Sequence, residues 1–257
     1  MKLGFIGTGK ITTILVNGFL ANEKEMEIVV SPRNADHARR LVEKYPANVR
    51  IASNNQEVVD LSESVFLCVK PEKAEEAIKP LVFGKKHKVY NLVAGLTLET
   101  LHDWIGDVDL LVDTIPLSFA AYGYGPVVLY PEEQEARNLL EKVGEVFVVD
   151  SYESIRILLC LVSVQASFYT LLYSLVDWAT EKGLPANFAA SYTSSLFLAF
   201  AKAMQGADKE GLYNLSNEMT PKGINYMIKS NLKNLKAIDD WSDSLTLALE
   251  RLRPDKN

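Results

Sequence analysis

An apolar run from Leu3 to Ile6 breaks directly into Gly7-Thr8-Gly9-Lys10-Ile11-Thr12 and then into a helical pattern, and this bend constrains the chain more than any other feature. A strand that becomes a helix within three residues needs a glycine at the turn. A second glycine keeps side chains clear of the first helical amides, which carry the positive end of the helix dipole. The pattern predicts a βαβ unit whose first loop can receive a pyrophosphate. Thr12 stands where the third glycine of G-x-G-x-x-G serves close helix–strand packing, so the match is looser there. The same glycines would also suit a turn that holds no ligand.

The rest of the first half repeats the alternation. Strands are expected at 2–7, 27–30, 50–52, 64–69, 88–93, 110–114, 125–129 and 146–149. Helices are expected at 11–21, 35–44, 55–59, 72–81, 98–104 and 132–143. Strands at this spacing indicate parallel βαβ units. After Asp150 only helical patterns remain, at 155–182, 187–205, 209–217, 223–233 and 239–251, with Gly183-Leu184-Pro185 marking one helix end. The expected fold is α/β: a 1–150 Rossmann domain with a mainly parallel sheet, then an all-α domain over 151–257.

The end of the second strand bears on the cofactor. NAD binders carry an acidic residue there for the ribose hydroxyl. This chain reads Ser31-Pro32-Arg33-Asn34, without a carboxylate. Arg33 with Ser31 would bind a 2′-phosphate by charge-assisted hydrogen bonds, so NADP is the expected cofactor. The other reading of Arg33 is a solvated loop arginine.

A formal net charge of −6 argues against broad nucleic-acid binding, which needs clustered cations. The longest basic cluster, Lys85-Lys86-His87-Lys88, reads as a solvated loop. Cys68 and Cys160 are far apart and offer neither metal spacing nor a disulfide framework. The N-terminus enters a strand at once, which suggests no signal peptide and a cytoplasmic protein. Segment 157–176 has no charged residue and is long enough for a membrane span. Its Ser163, Gln165, Ser167, Thr170 and Ser174 favour a helix buried in a subunit interface instead. His37, His87 and His102 show no pairing with a carboxylate, and exposure is expected for each.

Together, the opening Leu3-Gly4-Phe5-Ile6-Gly7-Thr8-Gly9, the Val30-Ser31-Pro32-Arg33-Asn34 turn, Phe66-Leu67-Cys68-Val69-Lys70-Pro71 and Val93-Ala94-Gly95-Leu96-Thr97 resemble pyrroline-5-carboxylate reductase, as does Gly183-Leu184-Pro185. The resemblance implies an NADP site lined by Ile6, Gly7, Thr8, Gly9, Lys10, Ile11, Ser31, Arg33, Asn55, Cys68, Val69, Lys70 and Pro71. It implies that Val93, Ala94 and Gly95 face the nicotinamide. It further implies a helical domain that interlocks with a second subunit, making at least a homodimer.

The substrate half departs from that family. Its P-N-T-P turn reads Pro116-Leu117-Ser118-Phe119 here, its S-G-S-G-P-A reads Leu161-Val162-Ser163-Val164-Gln165-Ala166, and its S-P-G-G-T-T loop reads Thr220-Pro221-Lys222-Gly223-Ile224-Asn225. Reduction of a cyclic imine asks mainly for orientation. Thr220, Lys222 and Gly223 could hold a substrate carboxylate at a helix start, and Asn225 or Ser163 could meet the imine nitrogen. Lys222 reads equally as an exposed lysine, and Ser163 as a hydroxyl bonded to its own helix. Related hydroxyacid dehydrogenases use a lysine early in the interdomain helix, but none occurs between Arg156 and Lys182. The expected activity is NADPH-dependent reduction of a small carboxylated imine. Another NADP oxidoreductase, or a non-catalytic NADP-binding dimer, remains open.

Overall fold

The computed structural model describes residues 1–237 and 240–253. The chain divides into two compact units, Met1–Ser154 and Ile155–Asn257.

The first unit alternates β1 (Lys2–Ile6), α1 (Lys10–Asn22), β2 (Glu27–Val30), α2 (Ala35–Lys44), β3 (Val49–Ile51), α3 (Asn55–Asp60) and β4 (Ser64–Leu67). A 3-10 turn (Pro71–Lys73) leads into α4 (Ala74–Ile78), then β5 (Lys88–Asn91), α5 (Leu98–Ile105) and β6 (Leu110–Pro116). A second 3-10 turn (Ser118–Tyr122), β7 (Pro126–Tyr130), α6 (Gln134–Leu140) and β8 (Glu145–Val148) complete it. The eight strands form one sheet in the order β3-β2-β1-β4-β5-β6-β7-β8. All neighbours are parallel except β6 and β7. Chain order therefore reverses between β1 and β4, the place where such sheets open a crevice at their carboxyl ends.

The sheet buries both faces, which is why its strands read as near-continuous apolar runs. Across one face the register aligns Phe5, Phe66, Tyr90 and Val112. Phe5 stacks on Phe66 at 4.9 Å and Phe66 on Tyr90 at 4.5 Å, beneath Leu15, Phe19 and Leu41 of α1 and α2. Each such ring contributes about 1.5–3 kcal/mol by leaving water. The opposite face packs Ile6, Leu67 and Val89 under α3, α4 and α5.

The structure departs from the expected pattern in a few places. The expected 72–81 helix opens as a 3-10 turn and stops at Ile78: Lys79 keeps helical backbone as the cap, but Pro80 has no amide to donate to the next carbonyl. His87 is not exposed: it is 5% accessible, takes the Gly84 amide at Nδ1 (2.7 Å) and donates from Nε2 to the Val59 carbonyl (3.1 Å). It is a structural histidine, and Lys88 beside it pairs with Glu135 instead of standing free in a loop. His102 does have a carboxylate neighbour, Asp107 at 3.3 Å, but the pair is exposed.

The second unit continues α7 (Tyr152–Val162) and adds α8 (Gln165–Glu181), α9 (Ala186–Met204), α10 (Lys209–Asn217), α11 (Ile224–Asn234) and α12 (Asp240–Leu252). The start expected for the last helix, Asp239, lies outside the described residues. The single helix expected over 155–182 is broken at Ser163–Val164. The Ser163 amide is shared between the carbonyls of Leu159 and Cys160, both at 3.1 Å, which tightens the last turn of α7. The stretch Tyr152–Glu181 meets the length and hydropathy of a membrane span, with a mean hydropathy of 1.8 in its most apolar window. Gly183, at φ +101°, closes α8: its amide reaches Thr180 O and that of Leu184 reaches Ala179 O, a Schellman closure requiring left-handed backbone.

This unit has almost no interior of its own. Among its described residues only Ile155, Cys160 and Ala189 are buried, whereas Trp178 is 62% and Phe188 58% accessible.

Candidate functional site

The glycine turn sits at the switch point. A Cβ on Gly7 would lie 2.6 Å from the carbonyl oxygen of Cys68 and 2.9 Å from the Val69 nitrogen, and its φ is +97°. Any larger residue would push the turn off the end of β4, so the glycine brings residues 7–11 against residues 68–71. A Cβ on Gly9 would meet nothing within 4 Å. Gly9 caps α1 without a side-chain hydrogen bond, and the first turn holds no acid. The first helical bond runs from Thr13 N to Gly9 O, so the amides of Lys10, Ile11 and Thr12 precede it without a carbonyl partner among the described residues. Open space, free amides and a positive helix end form a cradle suited to a phosphate.

Thr12 explains how the third glycine is dispensed with. It is fully buried, its hydroxyl donates to Gly7 O at 2.5 Å, and it lies beside the Cys68 thiol. The side chain is a strut across the turn. Burial pushes the Cys68 thiol up to about 12, so this cysteine is packing and not a nucleophile.

Ser31 is fully buried. Its Oγ accepts the Gly7 amide at 2.9 Å and lies 3.1 Å from the Thr8 hydroxyl, which in turn donates to the Ser31 carbonyl at 2.6 Å. The hydroxyl expected to meet a 2′-phosphate is thus committed to the turn itself. Arg33 is exposed at the end of β2, and its charge, after the closer Lys73, helps hold the Glu76 carboxyl below its usual range. Asn55 is half-buried as the first residue of α3, and its amide reaches Ala77 O at 3.4 Å. The cap of that helix is Asn54, whose Oδ1 accepts the Glu57 amide at 2.9 Å. Val69 is half-buried, while Lys70 and Pro71 are exposed just beyond β4. Ala94 and Gly95 are exposed above a buried Val93, just past β5.

These residues converge at the carboxyl ends of β1, β2, β4 and β5. Beneath the 93–96 turn lies a polar cluster that sequence reasoning missed. The Asn91 amide donates to Asp113 Oδ1 at 2.6 Å and to Leu96 O at 2.9 Å, and its Oδ1 accepts the Val93 amide at 3.1 Å. Burial raises the Asp113 carboxyl to about 6, opposed by the Asn91 hydrogen bond and by the polar Tyr152 hydroxyl nearby. Tyr152, itself pushed up to about 12 chiefly by burial, accepts the Leu98 amide at 2.8 Å. An Asp closing the apolar Leu110-Leu111-Val112 run within a buried strand was the available signal.

The residues expected to meet substrate lie in the second unit. Ser163 donates to Cys160 O at 2.7 Å, so its hydroxyl proton is engaged within its own helix. Thr220, Lys222 and Asn225 are exposed, Lys222 has φ +59°, and Gly223 caps α11 with no side-chain bond. Ile224 is 73% accessible, so it fills no pocket within one chain. Among the described residues no hydrogen bond joins the 161–166 segment to the 220–225 segment.

The 3-2-1-4-5-6 strand order with a glycine turn at the switch point defines a Rossmann-type domain, an architecture whose members commonly bind dinucleotides at that crevice. The family described as "NADP oxidoreductase coenzyme F420-dependent" matches residues 2–90. Pyrroline-5-carboxylate reductase from Vibrio alginolyticus is 24% identical over 232 residues, spanning 86% of this chain and 85% of that protein. The crystal structure of 1-pyrroline-5-carboxylate reductase from Streptococcus pyogenes superposes with a TM-score of 0.81 at 21% identity, covering 98% of both chains. The Plasmodium falciparum pyrroline carboxylate reductase, solved with NADP bound, gives a TM-score of 0.79 at 15% identity over 98% of this chain and 97% of that one. This chain is therefore a remote homologue of the pyrroline-5-carboxylate reductases, near in fold and distant in sequence.

Proposed function

We propose that the protein is an NADPH-dependent reductase of a small carboxylated cyclic imine, pyrroline-5-carboxylate or a relative, and works in the cytoplasm as at least a homodimer. The carrying observation is the uncapped start of α1 beside an open Gly9, with Arg33 and no carboxylate at the end of β2. A pyrophosphate fits the former and a 2′-phosphate the latter. The first glycine loop, Arg33, Asn55 and residues 68–71 would hold the nucleotide, with Ser31 shaping the loop from within, and Val93, Ala94 and Gly95 would flank the nicotinamide. Bound NADPH supplies the hydride for the imine carbon. The protein's part is orientation: the first amides of α11, beyond a Gly223 whose own amide is held by the Thr220 carbonyl, with Thr220 and Lys222, for the carboxylate, and Asn225 or Ser163 at the nitrogen.

Assembly is supported by the second unit, whose exposed aromatics leave it without a core of its own. A helical layer of this kind is stable only when its apolar surface is covered, and a second copy covers it without lipid. No hydrogen bond joins the two substrate segments among the described residues, so a partner that covers the exposed helical surface could also complete one pocket from them.

The test is NADPH oxidation by the full chain against a panel of cyclic imines that includes pyrroline-5-carboxylate. Consumption with a carboxylated imine and none with open-chain ketones is expected. Turnover of ketones alone, or of nothing while NADPH binds, would replace this reading with a carbonyl reductase or a non-catalytic binder. Light scattering at micromolar concentration should give twice the chain mass or more.

A further inference from the structure

We propose that Asn91 and Asp113 are positioning residues, a buried side-chain bridge that fixes the 93–96 turn where the nicotinamide end of the cofactor would rest. The inference rests on the NADP(H) reading above.

The sheet register creates the bridge. On the face covered by α3, α4 and α5, the last row of side chains runs Ile6, Leu67, Asn91, Asp113. It is apolar at β1 and β4 and turns polar only at β5 and β6, directly below the turn. Asn91 is 2% and Asp113 7% accessible, whereas Ala94 and Gly95 just above are exposed. One asparagine side chain therefore ties both ends of the turn, taking the Val93 amide and donating to the Leu96 carbonyl.

Asp113 selects which way the asparagine points. A carboxylate only accepts, so the Asn91 amide must present its NH2 to Oδ1, and that leaves its oxygen toward Val93 N. With the amide reversed, an oxygen would face Asp113 and an NH2 would face the Val93 amide, breaking both bonds. The same carboxylate lies beside Tyr152, which holds the first amide of α5 and so anchors the far side of the loop. The arrangement is costly: Asp113 Oδ2 has no partner at hydrogen-bonding distance. A buried carboxylate with an orphaned oxygen is poor value as mere stabilisation, because apolar residues of similar volume would pack as well.

The test compares NADPH with 2′-phospho-ADP-ribose, the same nucleotide without its nicotinamide, by calorimetry on the full chain. Asp113→Leu should raise the Kd for NADPH about tenfold through misplacement of the turn, leave 2′-phospho-ADP-ribose within twofold, and change the fluorescence of bound NADPH. Asp113→Asn, which keeps an acceptor for the Asn91 NH2, should restore NADPH binding. Asn91→Ser, too short to span the turn, provides a second route to the same selective loss. Equal weakening of both nucleotides, no weakening in folded variants, or loss of folding in both Asp113→Leu and Asn91→Ser would overturn the proposal while leaving the NADP(H) reading intact. If the wild-type chain bound neither nucleotide, the reading itself would fall, and the proposal with it.

Discussion

Ser31 Oγ accepts the Gly7 amide at 2.9 Å from a side chain wholly withdrawn from solvent, tying the end of β2 to the bend after β1. An arrangement of this kind makes Ser31 a part of the loop's shape and not of its surface. Ser31→Ala should cost about 1–2 kcal/mol of stability, since it orphans a backbone amide and the Thr8 hydroxyl loses a neighbour. It should also weaken NADPH and NADH by similar factors. Urea unfolding and calorimetry check both, and a loss confined to NADPH would mean the hydroxyl turns outward to the 2′-phosphate after all.

Arg33 carries the opposite expectation. It is exposed, and the nearby carboxylate whose titration it influences, Glu76, already pairs with Lys73 at 2.9 Å. The guanidinium is thus available to a dianion at the end of β2. Charge-assisted bonds to a phosphate contribute about 1.5–3 kcal/mol, so Arg33→Glu should weaken NADPH by roughly tenfold or more. NADH, with no phosphate there, should change little. Raising the salt concentration should narrow the wild-type preference, because the site is open to solvent. Equal affinities before and after substitution would remove Arg33 from the site.

Thr12 bears on how far a motif can be trusted. Restoring the third glycine by Thr12→Gly would remove a buried hydroxyl bonded to Gly7 O at 2.5 Å, open space beside Cys68 and add backbone freedom to α1. The sum is a loss of about 2–3 kcal/mol. A variant as stable as the wild type in urea would mean the strut is dispensable and the glycine pattern is the better guide here.

The elements of the first unit were legible because each strand is an apolar run bounded by turn residues. β2 was placed at 27–30 and α2 at 35–44, as found. What escaped was whatever depends on partners distant in sequence. Asn91 and Asp113 meet only through strand register, 22 positions apart. His87 looks like part of a basic loop until Gly84 and Val59 are seen to close on its two nitrogens. The break after Val162 turns on local sharing of carbonyls, which an uncharged helical pattern does not announce. The glycine bend and Arg33 could be placed at the carboxyl ends of β1 and β2 from sequence position alone. Ser163 and Asn225 were harder to relate, because they are 62 positions apart in sequence and no hydrogen bond among the described residues joins their segments.

The Asp113 carboxyl makes a pH signature. Its value is raised from 3.8 to about 6, foremost by burial. Between those limits the folded chain keeps a proton that the unfolded chain has lost, so this group makes stability fall as pH rises from about 4 to about 6. The full penalty, reached above pH 6, is up to about 3 kcal/mol for a shift of this size. The groups facing it are Asn91 on β5 and Tyr152 at the start of α7, and no cation is among the causes of its shift. Acids held below their usual range, such as Glu57 and Asp150, act in the opposite sense and at lower pH. Comparing wild type with Asp113→Asn at one protein concentration cancels their contribution. The asparagine variant has no proton to lose, so its stability relative to wild type should climb between pH 4 and pH 7 and then level off. A difference that stays flat across that range would mean the carboxyl ionises as an ordinary aspartate, with water reaching the base of the 93–96 turn.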